Sequence, residues 1–464
     1  MAGFIQEEIQ KITPNVPNDF RHALCVGETG CGKTTSFILP NMLERMKNGN
    51  GLFVIDFKGN LHSQVKALAH QEGRLNDVFE VGVPWGSTIN IFKNISRSMF
   101  INSLNEINGK DGERFWISSA LNLAGQLYDV FALMQNLKDL LKGKQAVFFD
   151  YELSTVSINK VLSSYKNIES FLSSIKHILN ELALDKLLVL KDEGTGDNDL
   201  YLIRQFSKEL EEVFSKLTSF YAEIDQSSPA SGSGGVLFSL KNLMHTFTQV
   251  GLDGSQDLQS YLESGKIVIL RSESYDDNVT NAIMNILYQR LLIRRSSRGI
   301  SLFIDEFQRT VSPTNLPYID LFREMKVELI AAMQNINQLE NKITEEKCHE
   351  FLGNVLHNFF YADHRENTLK TFEFTLGKKK AEAQPIFIER VELFRAQILW
   401  QNFRNKSLPN YWVYHRFDGH KRALILNIKT GQTKYHYILS KQDSLLKDEL
   451  QIRIELQSSN RKVS

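Results

Sequence analysis

Short apolar runs recur towards both ends of the chain, and segments with the apolar spacing of helices lie between them. This alternation is typical of parallel strands joined by crossover helices, because strands covered on both faces lack polar positions. The pattern predicts strands at 22–26, 52–56, 266–270, 300–304, 327–332 and 357–361. Two further runs, 422–428 and 434–439, flank turn-forming residues and predict a hairpin.

The middle of the chain has a different pattern. Apolar residues recur at helical spacing in 115–128, 168–184 and 202–224, and strand-like runs are scarce around them. This predicts an all-helical insertion. We expect the insertion to end in the segment 227–235, whose Ser, Pro and Gly residues favour turns and flexible backbone.

The composition is that of a folded, core-forming protein, with 42% of the 464 residues hydrophobic and 23% charged. The formal net charge is zero, so any nucleic-acid contact would depend on a local basic surface. Signal-peptide regions are missing, and no run approaches the roughly 20 apolar residues that span a bilayer. Three cysteines, Cys25, Cys31 and Cys348, favour a reducing compartment. We therefore expect a cytoplasmic protein without its own membrane span, which would meet a membrane through partner proteins.

A glycine-rich loop follows the first predicted strand and precedes a helix predicted at 34–47. It matches the phosphate-binding pattern G-x-x-x-x-G-K-[ST] in full, and the flanking strand and helix argue against a chance match. Lys33 would reach the terminal phosphates of ATP, and Thr34 would offer its hydroxyl to Mg²⁺. We predict that the nucleotide contacts nine consecutive residues, Gly27, Glu28, Thr29, Gly30, Cys31, Gly32, Lys33, Thr34 and Thr35.

Together with this P-loop, the apolar pattern predicts an α/β fold. It consists of a RecA-like P-loop motor domain with a mainly parallel sheet, plus an inserted all-α domain. The first part of the motor domain would span 1–95 and the helical insertion 96–229. The second part of the motor domain would span 230–440, followed by a C-terminal tail at 441–464.

An acidic pair, Asp305 and Glu306, follows the strand predicted at 300–304. The carboxyl ends of parallel strands face the ligand, so the pair would lie beside the P-loop. Asp305 would then hold Mg²⁺, and Glu306 would activate the attacking water. An acidic pair after a strand can also cap a helix. Beside a complete P-loop we favour the catalytic interpretation.

Two more polar residues are candidates for this site. Gln334 follows the strand predicted at 327–332 and would sense the γ-phosphate, unless it merely caps a helix. Arg323 lies on the helix before that strand, where an arginine could complete a neighbour's site, but the residues alone favour a solvated surface position. Arg309 is a rival to Arg323. Three further arginines are explained as a cationic helix end: Arg294, Arg295 and Arg298.

A lysine follows the second predicted strand in the sequence Asp56-Phe57-Lys58-Gly59. Lys58 would either approach a phosphate or pair with Asp56, and its chemistry does not decide between the two.

The ordered combination of these motifs resembles the type IV secretion coupling proteins, the TraD and TraG class of the FtsK/HerA superfamily. The segment 56–59 is similar to the family's Asp-Pro-Lys-Gly element, with Phe57 in place of proline. Phe115-Trp116 opens a helical insertion, as in the family. The segment 303–307, Arg323, Gln334 and a strand and helix at 358–377 follow in the family's order, so that the resemblance covers most of the chain.

The resemblance implies a homo-oligomer, a hexameric ring that binds DNA in a central channel and hydrolyses ATP with Mg²⁺ between subunits. It identifies Arg323 as the arginine finger that completes the site of the neighbouring subunit. The catalytic residues would then be Lys33, Glu306, Arg323 and Gln334. Secretion-system or relaxosome proteins would be further partners, and another subunit would replace the family's membrane anchor. Lysines at 378–380 and the pair 421–422 are candidate DNA contacts.

Two other functions remain open from the sequence. One is a recruitment ATPase that presents protein cargo to a secretion channel through its helical insertion. The other is a DNA-processing or defence motor of HerA type.

Overall fold

The computed structural model describes residues 16–27, 29–30, 32–107, 114–141, 152–183, 196–225, 232–361, 412–417, 422–427 and 433–437. Within these ranges the strands are β1 (Ala23–Val26), β2 (Gly51–Asp56), β3 (Val78–Val81), β4 (Ile267–Arg271), β5 (Ile300–Asp305), β6 (Val327–Met333), β7 (His357–Tyr361), β8 (Trp412–Phe417), β9 (Arg422–Asn427) and β10 (Thr433–Tyr437). The α-helices are α1 (Leu39–Lys47), α2 (Leu61–Gln71), α3 (Arg97–Ile107), α4 (Arg114–Leu141), α5 (Thr155–Leu162), α6 (Tyr165–Glu181), α7 (Asp197–Asp225), α8 (Gly232–Thr246), α9 (Leu258–Glu263), α10 (Asp277–Leu292), α11 (Ile319–Phe322), α12 (Ile336–Ile343) and α13 (Glu345–Asn354).

The strands form one sheet in the order β10-β9-β8-β7-β1-β6-β5-β2-β4-β3. The strands from β7 to β4 pair in parallel. Strands β8, β9 and β10 extend the sheet with antiparallel pairs. The predicted α/β fold with a mainly parallel sheet is therefore confirmed, and so is the hairpin, formed by β9 and β10.

The central strands are buried because both faces of the sheet are covered. Every residue of β2, β5 and β6 is buried, which explains their unbroken apolar runs. The first residue of β2, Gly51, lies so close to the backbone of Leu262 that a Cβ atom would stand 2.0 Å from its carbonyl oxygen. Glycine is therefore required where β2 enters the sheet.

The first compact unit comprises residues 1–79, 261–273 and 294–464 and contains the P-loop. Its core contains Phe37 together with Val54 of β2, Phe303 of β5 and Phe359 of β7. The rings of Phe37 and Phe359 lie 4.8 Å apart. Burial of an aromatic side chain of this kind contributes about 2 to 3 kcal/mol, so this core fixes the segment after the P-loop on the sheet.

The second compact unit comprises residues 80–260 and 274–293 and is built mainly of helices. Its core contains aromatic contacts, with Phe92 packed edge-on against Phe100 at 4.9 Å and Phe247 at 5.1 Å. Inside this unit Arg290 of α10 pairs with the buried Asp257. An all-helical insertion is thus present, whereas the domain limits at residues 95 and 229 stay predictions.

The segment 227–235 was expected to be a flexible turn, and for its last residues this is wrong. Helix α8 begins at Gly232 and continues to Thr246. At Gly235 a Cβ atom would stand 3.0 Å from the ring of Trp116. The small residue allows the helix to pack closely on that ring, which favours a helix despite the poor intrinsic propensity of glycine.

The predicted tail from residue 441 and the helix expected to end at Gly377 lie outside the described residues. Among the helices that the structure does describe, none combines the length and the apolar character needed to cross a membrane.

Candidate active site

The P-loop joins the end of β1 to a helical segment and is tied to the sheet at its first residue. The amide of Gly27 donates a hydrogen bond to the carbonyl of Met333 at the end of β6, at 3.2 Å. Gly30 and Gly32 have φ angles of 81° and 95°, a left-handed conformation that glycine adopts without strain. The ammonium of Lys33 folds back over the loop and donates to the carbonyl of Gly27 at 2.7 Å. Lys33 therefore lies across the loop where an anion would be held.

The helix after the loop starts with an irregular turn. Residues Thr34–Ile38 form one π-helical turn before α1 begins, a feature that is often found at functional sites. The hydroxyl of Thr34 donates to Oδ2 of Asp305 at 2.8 Å. The hydroxyl of Thr35 instead donates to the carbonyl of Gly32 at 3.2 Å. Thr34 thus faces the acidic residue, and Thr35 stabilises the loop itself.

Glu306 has a strained backbone and a crowded carboxylate. Its φ of 70° and ψ of 48° are left-handed, which is uncommon for a residue with a Cβ atom and is often found at active sites. Its oxygens accept hydrogen bonds from Lys58 at 2.7 Å, from Gln308 at 2.8 Å, and from Gln334 at 3.1 Å to each oxygen. Burial opposes its ionisation, but these donors outweigh burial and hold the pKa of Glu306 below its usual range.

Four neighbouring strands supply these groups. In the sheet order β1-β6-β5-β2, the P-loop follows β1, Gln334 follows β6, the acidic pair ends β5, and Lys58 follows β2. Because these strands are parallel, their carboxyl ends meet at one edge, as expected for a ligand site. The sequence-predicted residues Lys33, Thr34, Asp305, Glu306 and Gln334 therefore lie at the same edge of the sheet.

The loop after β2 is organised by Asp56. One oxygen of its buried carboxylate accepts from the amides of Lys58 at 3.1 Å and Gly59 at 2.8 Å, and the other accepts from the amide of His62 at 2.9 Å. Burial alone would raise the pKa of Asp56, but these hydrogen bonds lower it. The ammonium of Lys58 extends to Glu306 instead of Asp56. Of the two alternatives left open for Lys58, an ion pair of its side chain with Asp56 is therefore not formed, and the ammonium pairs with Glu306.

Arg309 and Phe57 form a cation–π contact at this edge. The guanidinium of Arg309 lies 4.3 Å from the ring centroid of Phe57. Arg309 thus packs within its own subunit.

Arg323 caps the C-terminal end of α11, and its side chain is exposed. The residues described by the structure provide no hydrogen bond or ion pair for its guanidinium. Helix α11 itself is held firmly, because Nε2 of His22 donates to the carbonyl of Ile319 at 2.6 Å while Nδ1 accepts from the amide of Leu329 at 3.1 Å. A fixed helix therefore presents an exposed guanidinium that no other described residue engages.

Arg294 was explained as part of a cationic helix end, and this is wrong. Helix α10 ends at Leu292, and the side chain of Arg294 beyond it is buried. It donates to the carbonyls of Met325 at 2.7 Å and Arg298 at 2.6 Å. Its guanidinium satisfies one backbone carbonyl just before β5 and one just before β6.

The donor set fits ATP with Mg²⁺. A hydroxyl and a carboxylate already in contact, from Thr34 and Asp305, provide the hard oxygen atoms that Mg²⁺ prefers. Lys33 and the positive-φ glycines form a concave loop with a cation across it, as triphosphate binding requires. Glu28 and Cys31 of the predicted contact set lie outside the described residues.

Three contacts of Glu306 were not predicted from the sequence, those with Lys58, Gln308 and Gln334. The contact with Gln308 spans only two positions, but it depends on the left-handed backbone of Glu306, which the sequence does not reveal. Lys58 offered no local signal, because 248 positions separate it from Glu306. Of the candidate DNA contacts, 378–380 and Lys421 lie outside the described residues, and Arg422 begins β9.

Solved structures similar to this chain include the bacterial conjugative coupling protein TrwBdeltaN70 in its unbound monoclinic form. It is 13% identical, with 89% of this chain and 85% of that chain covered and a TM-score of 0.47. The plasmid coupling protein TrwB in complex with ADP and Mg²⁺ is 13% identical, with 92% and 91% covered and a TM-score of 0.48. VirB4 of Thermoanaerobacter pseudethanolicus is 12% identical, with 90% and 89% covered and a TM-score of 0.42. No curated protein sequence matches the chain.

Two family models match the sequence. The model described as the TraM recognition site of TraD and TraG matches residues 300–385, which include β5 and β6. The model for type IV secretory system conjugative DNA transfer matches residues 10–250, which is more than half of the chain and includes the P-loop. The chain therefore belongs to the type IV secretory system conjugative DNA transfer family.

Proposed function

We propose that the chain is the ATP-hydrolysing motor that moves DNA in conjugative type IV secretion, and that it works as a ring of identical subunits. The observation that supports this most directly is the convergence of Lys33, the Thr34–Asp305 pair and Glu306 at one sheet edge. A phosphate cradle, a metal-binding oxygen pair and a general base are the parts that phosphoryl transfer to water requires.

In this proposal Glu306 is the general base. It takes a proton from water as the water oxygen bonds to the γ-phosphorus, and the bond from that phosphorus to the β,γ-bridging oxygen breaks, with its electron pair leaving on ADP. Gln334, whose amide contacts both oxygens of Glu306, orients this carboxylate. Lys33 holds the terminal phosphates with its ammonium. When bound at Thr34 and Asp305, Mg²⁺ would neutralise charge on the phosphate oxygens.

Arg323 completes the site of the next subunit. Its exposed guanidinium has no partner among the described residues of its own chain, and it stands on a helix fixed by His22. An arginine supplied by a neighbour stabilises the charge of the phosphoryl group in the transition state. Hydrolysis would therefore require two adjacent subunits, as a ring of identical subunits provides.

A mixing experiment tests this shared site. We expect Lys33→Ala to abolish ATP turnover, and Arg323→Ala to bind nucleotide without hydrolysing it. A one-to-one mixture should regain activity, because about one interface in four then joins an intact P-loop to an intact arginine. Activity of Arg323→Ala alone, or a mixture as inactive as its components although both bind one another, would reject the shared site.

DNA dependence is tested by ATP turnover in a salt titration. We expect DNA to stimulate hydrolysis and the stimulation to fall steeply as salt rises, because phosphate contacts release counter-ions. Turnover that no DNA changes at any salt concentration would favour the recruitment of protein cargo instead.

A protein partner is also proposed. The match of residues 300–385 to the TraM recognition site model supports binding of a DNA-associated relaxosome protein by this part of the chain. Pull-down of the intact protein with a TraM-type partner, with and without DNA, checks this.

A further inference from the structure

The carboxylate of Glu306 accepts hydrogen bonds from three donor groups on both of its oxygens. Oε1 is contacted by Lys58 and by Gln334, and Oε2 by Gln308 and again by Gln334. An ionised carboxylate has about four lone-pair positions. Lys58 and Gln308 each occupy one of them, and the amide of Gln334 is shared between the two oxygens. An attacking water therefore competes with these donors for the base.

Lys58 is the donor that can leave most easily. Its side chain is 51% exposed, whereas that of Glu306 is 7% exposed and Gln308 is buried. Its backbone stays fixed, because Asp56 holds the amides of residues 58 and 59. The ammonium can therefore move on its flexible stem without disturbing the loop that carries it.

The charges around the pair favour exchange of the ammonium onto an anion. The carboxylate of Asp305 attracts the ammonium of Lys58, and the guanidinium of Arg309, in the turn after β5, repels it. Towards β6 the facing group is the amide of Gln334, which carries no charge. A triphosphate arriving at the P-loop adds several negative charges at this edge, which compete with Glu306 for the ammonium.

We propose that Lys58 is a positioning residue that restrains the catalytic base, holding Glu306 away from water until an anionic phosphate oxygen takes over its ammonium. The exchange moves no proton, and it returns one lone pair on Oε1 to accept the proton of water. This inference rests on the proposed function, since it assigns a regulatory contact to the same hydrolytic site.

Steady-state kinetics of Lys58→Met test the restraint. Methionine matches the apolar stem of lysine in length and removes the ammonium. We expect the DNA-free kcat for ATP to rise roughly fivefold, because loss of one partly exposed, charge-assisted hydrogen bond frees the base. Lys58→Arg should restore the low wild-type kcat, and Lys47→Met on α1, which removes an exposed lysine elsewhere, should leave kcat unchanged.

The kinetic constants separate the outcomes. An unchanged or lower kcat with a raised KM would overturn the proposal, since Lys58 would then serve only to bind phosphate. A raised kcat in both Lys58→Met and Lys58→Arg would also overturn it, because the restraint would not depend on the charge. Thermal melting of each variant excludes misfolding. Lys33→Ala tests the proposed function separately. If Lys33→Ala keeps its turnover, the proposed hydrolytic site is wrong. If Lys33→Ala loses turnover and Lys58→Met shows no rise in kcat, only the restraint by Lys58 is wrong.

Discussion

Replacement of Glu328 by Gln should destabilise the P-loop domain by about 3 kcal/mol. The carboxylate of Glu328 on β6 and the guanidinium of Arg45 on α1 are both 0% exposed and form a two-pronged ion pair at 2.7 and 2.8 Å. Arg45 also donates to the carbonyls of Val16 and Pro17, and Ser301 donates to Glu328. The pair therefore joins the helix after the P-loop to the centre of the sheet.

The magnitude follows from what the substitution leaves behind. Arginine stays charged when buried, so Glu328→Gln creates a buried cation without a counter-ion. Removal of one partner of a buried pair costs about 3 to 5 kcal/mol, and the retained amide hydrogen bonds place glutamine at the lower end. Replacement of both residues by methionine should recover most of the loss, because no isolated charge remains.

Hydrogen exchange of the amides in α1 and β6 measures this effect. A loss of about 3 kcal/mol corresponds to exchange faster by about a hundredfold, where exchange follows the opening equilibrium. Asp19→Asn, which breaks a partly exposed pair with Arg21, is the matched control and should change stability by less than about 1 kcal/mol. Exchange in Glu328→Gln within threefold of wild type would refute the argument from burial.

Two further predictions concern metal binding and pH. Thr34→Val should weaken Mg²⁺-dependent ADP binding about tenfold, because valine removes the hydroxyl that donates to Asp305. Thr34→Ser keeps the hydroxyl and should retain the affinity. Calorimetric titration measures both affinities, and equal values for the two variants would contradict the prediction. Burial lowers the pKa of His22 and of His357 from 6.5 to about 4. The folded protein then binds fewer protons than the unfolded chain, so stability should fall as pH drops from about 7 to about 5, with up to about 3 kcal/mol from His22 over its full range. Thermal melting across this range should show a shallower fall for His22→Asn, and a flat wild-type profile would contradict the assignment.

The strands and the P-loop were predictable because burial on both faces leaves an unbroken apolar run in the sequence. Both limits of each of the strands β2, β5 and β6 agree with the predicted limits to within one residue. The acidic pair was predictable for the same reason, since Asp305 is the last residue of β5. The local sequence was therefore sufficient to predict which residues lie at the carboxyl ends of the parallel strands, where the ligand site is.

The contacts among those groups were not predictable, because they depend on strand order. Lys58 meets Glu306 only because β2 lies next to β5 in the sheet, and apolar periodicity carries no information about neighbours. Helix α8 was not predicted either, because it depends on packing between distant residues. Gly235 suggests flexible backbone in the sequence, but in the structure it lies against Trp116. The buried Arg294 likewise finds one of its carbonyl partners, that of Met325, 31 positions away.

The substitution of phenylalanine for the family's proline at position 57 is compatible with this site. The carboxylate of Asp56 takes its donors from residues beyond position 57, so the loop that aims Lys58 needs neither the fixed φ of proline nor an amide at that position. The ring of Phe57 instead makes the cation–π contact with Arg309, which follows Glu306 in the turn after β5. The segment that holds Lys58 and the turn that holds Glu306 are thereby joined by a second contact, independent of their ion pair. This contact keeps the two loops together when the Lys58 ammonium leaves Glu306, which is the condition under which the restraint can be released and formed again in each cycle of hydrolysis.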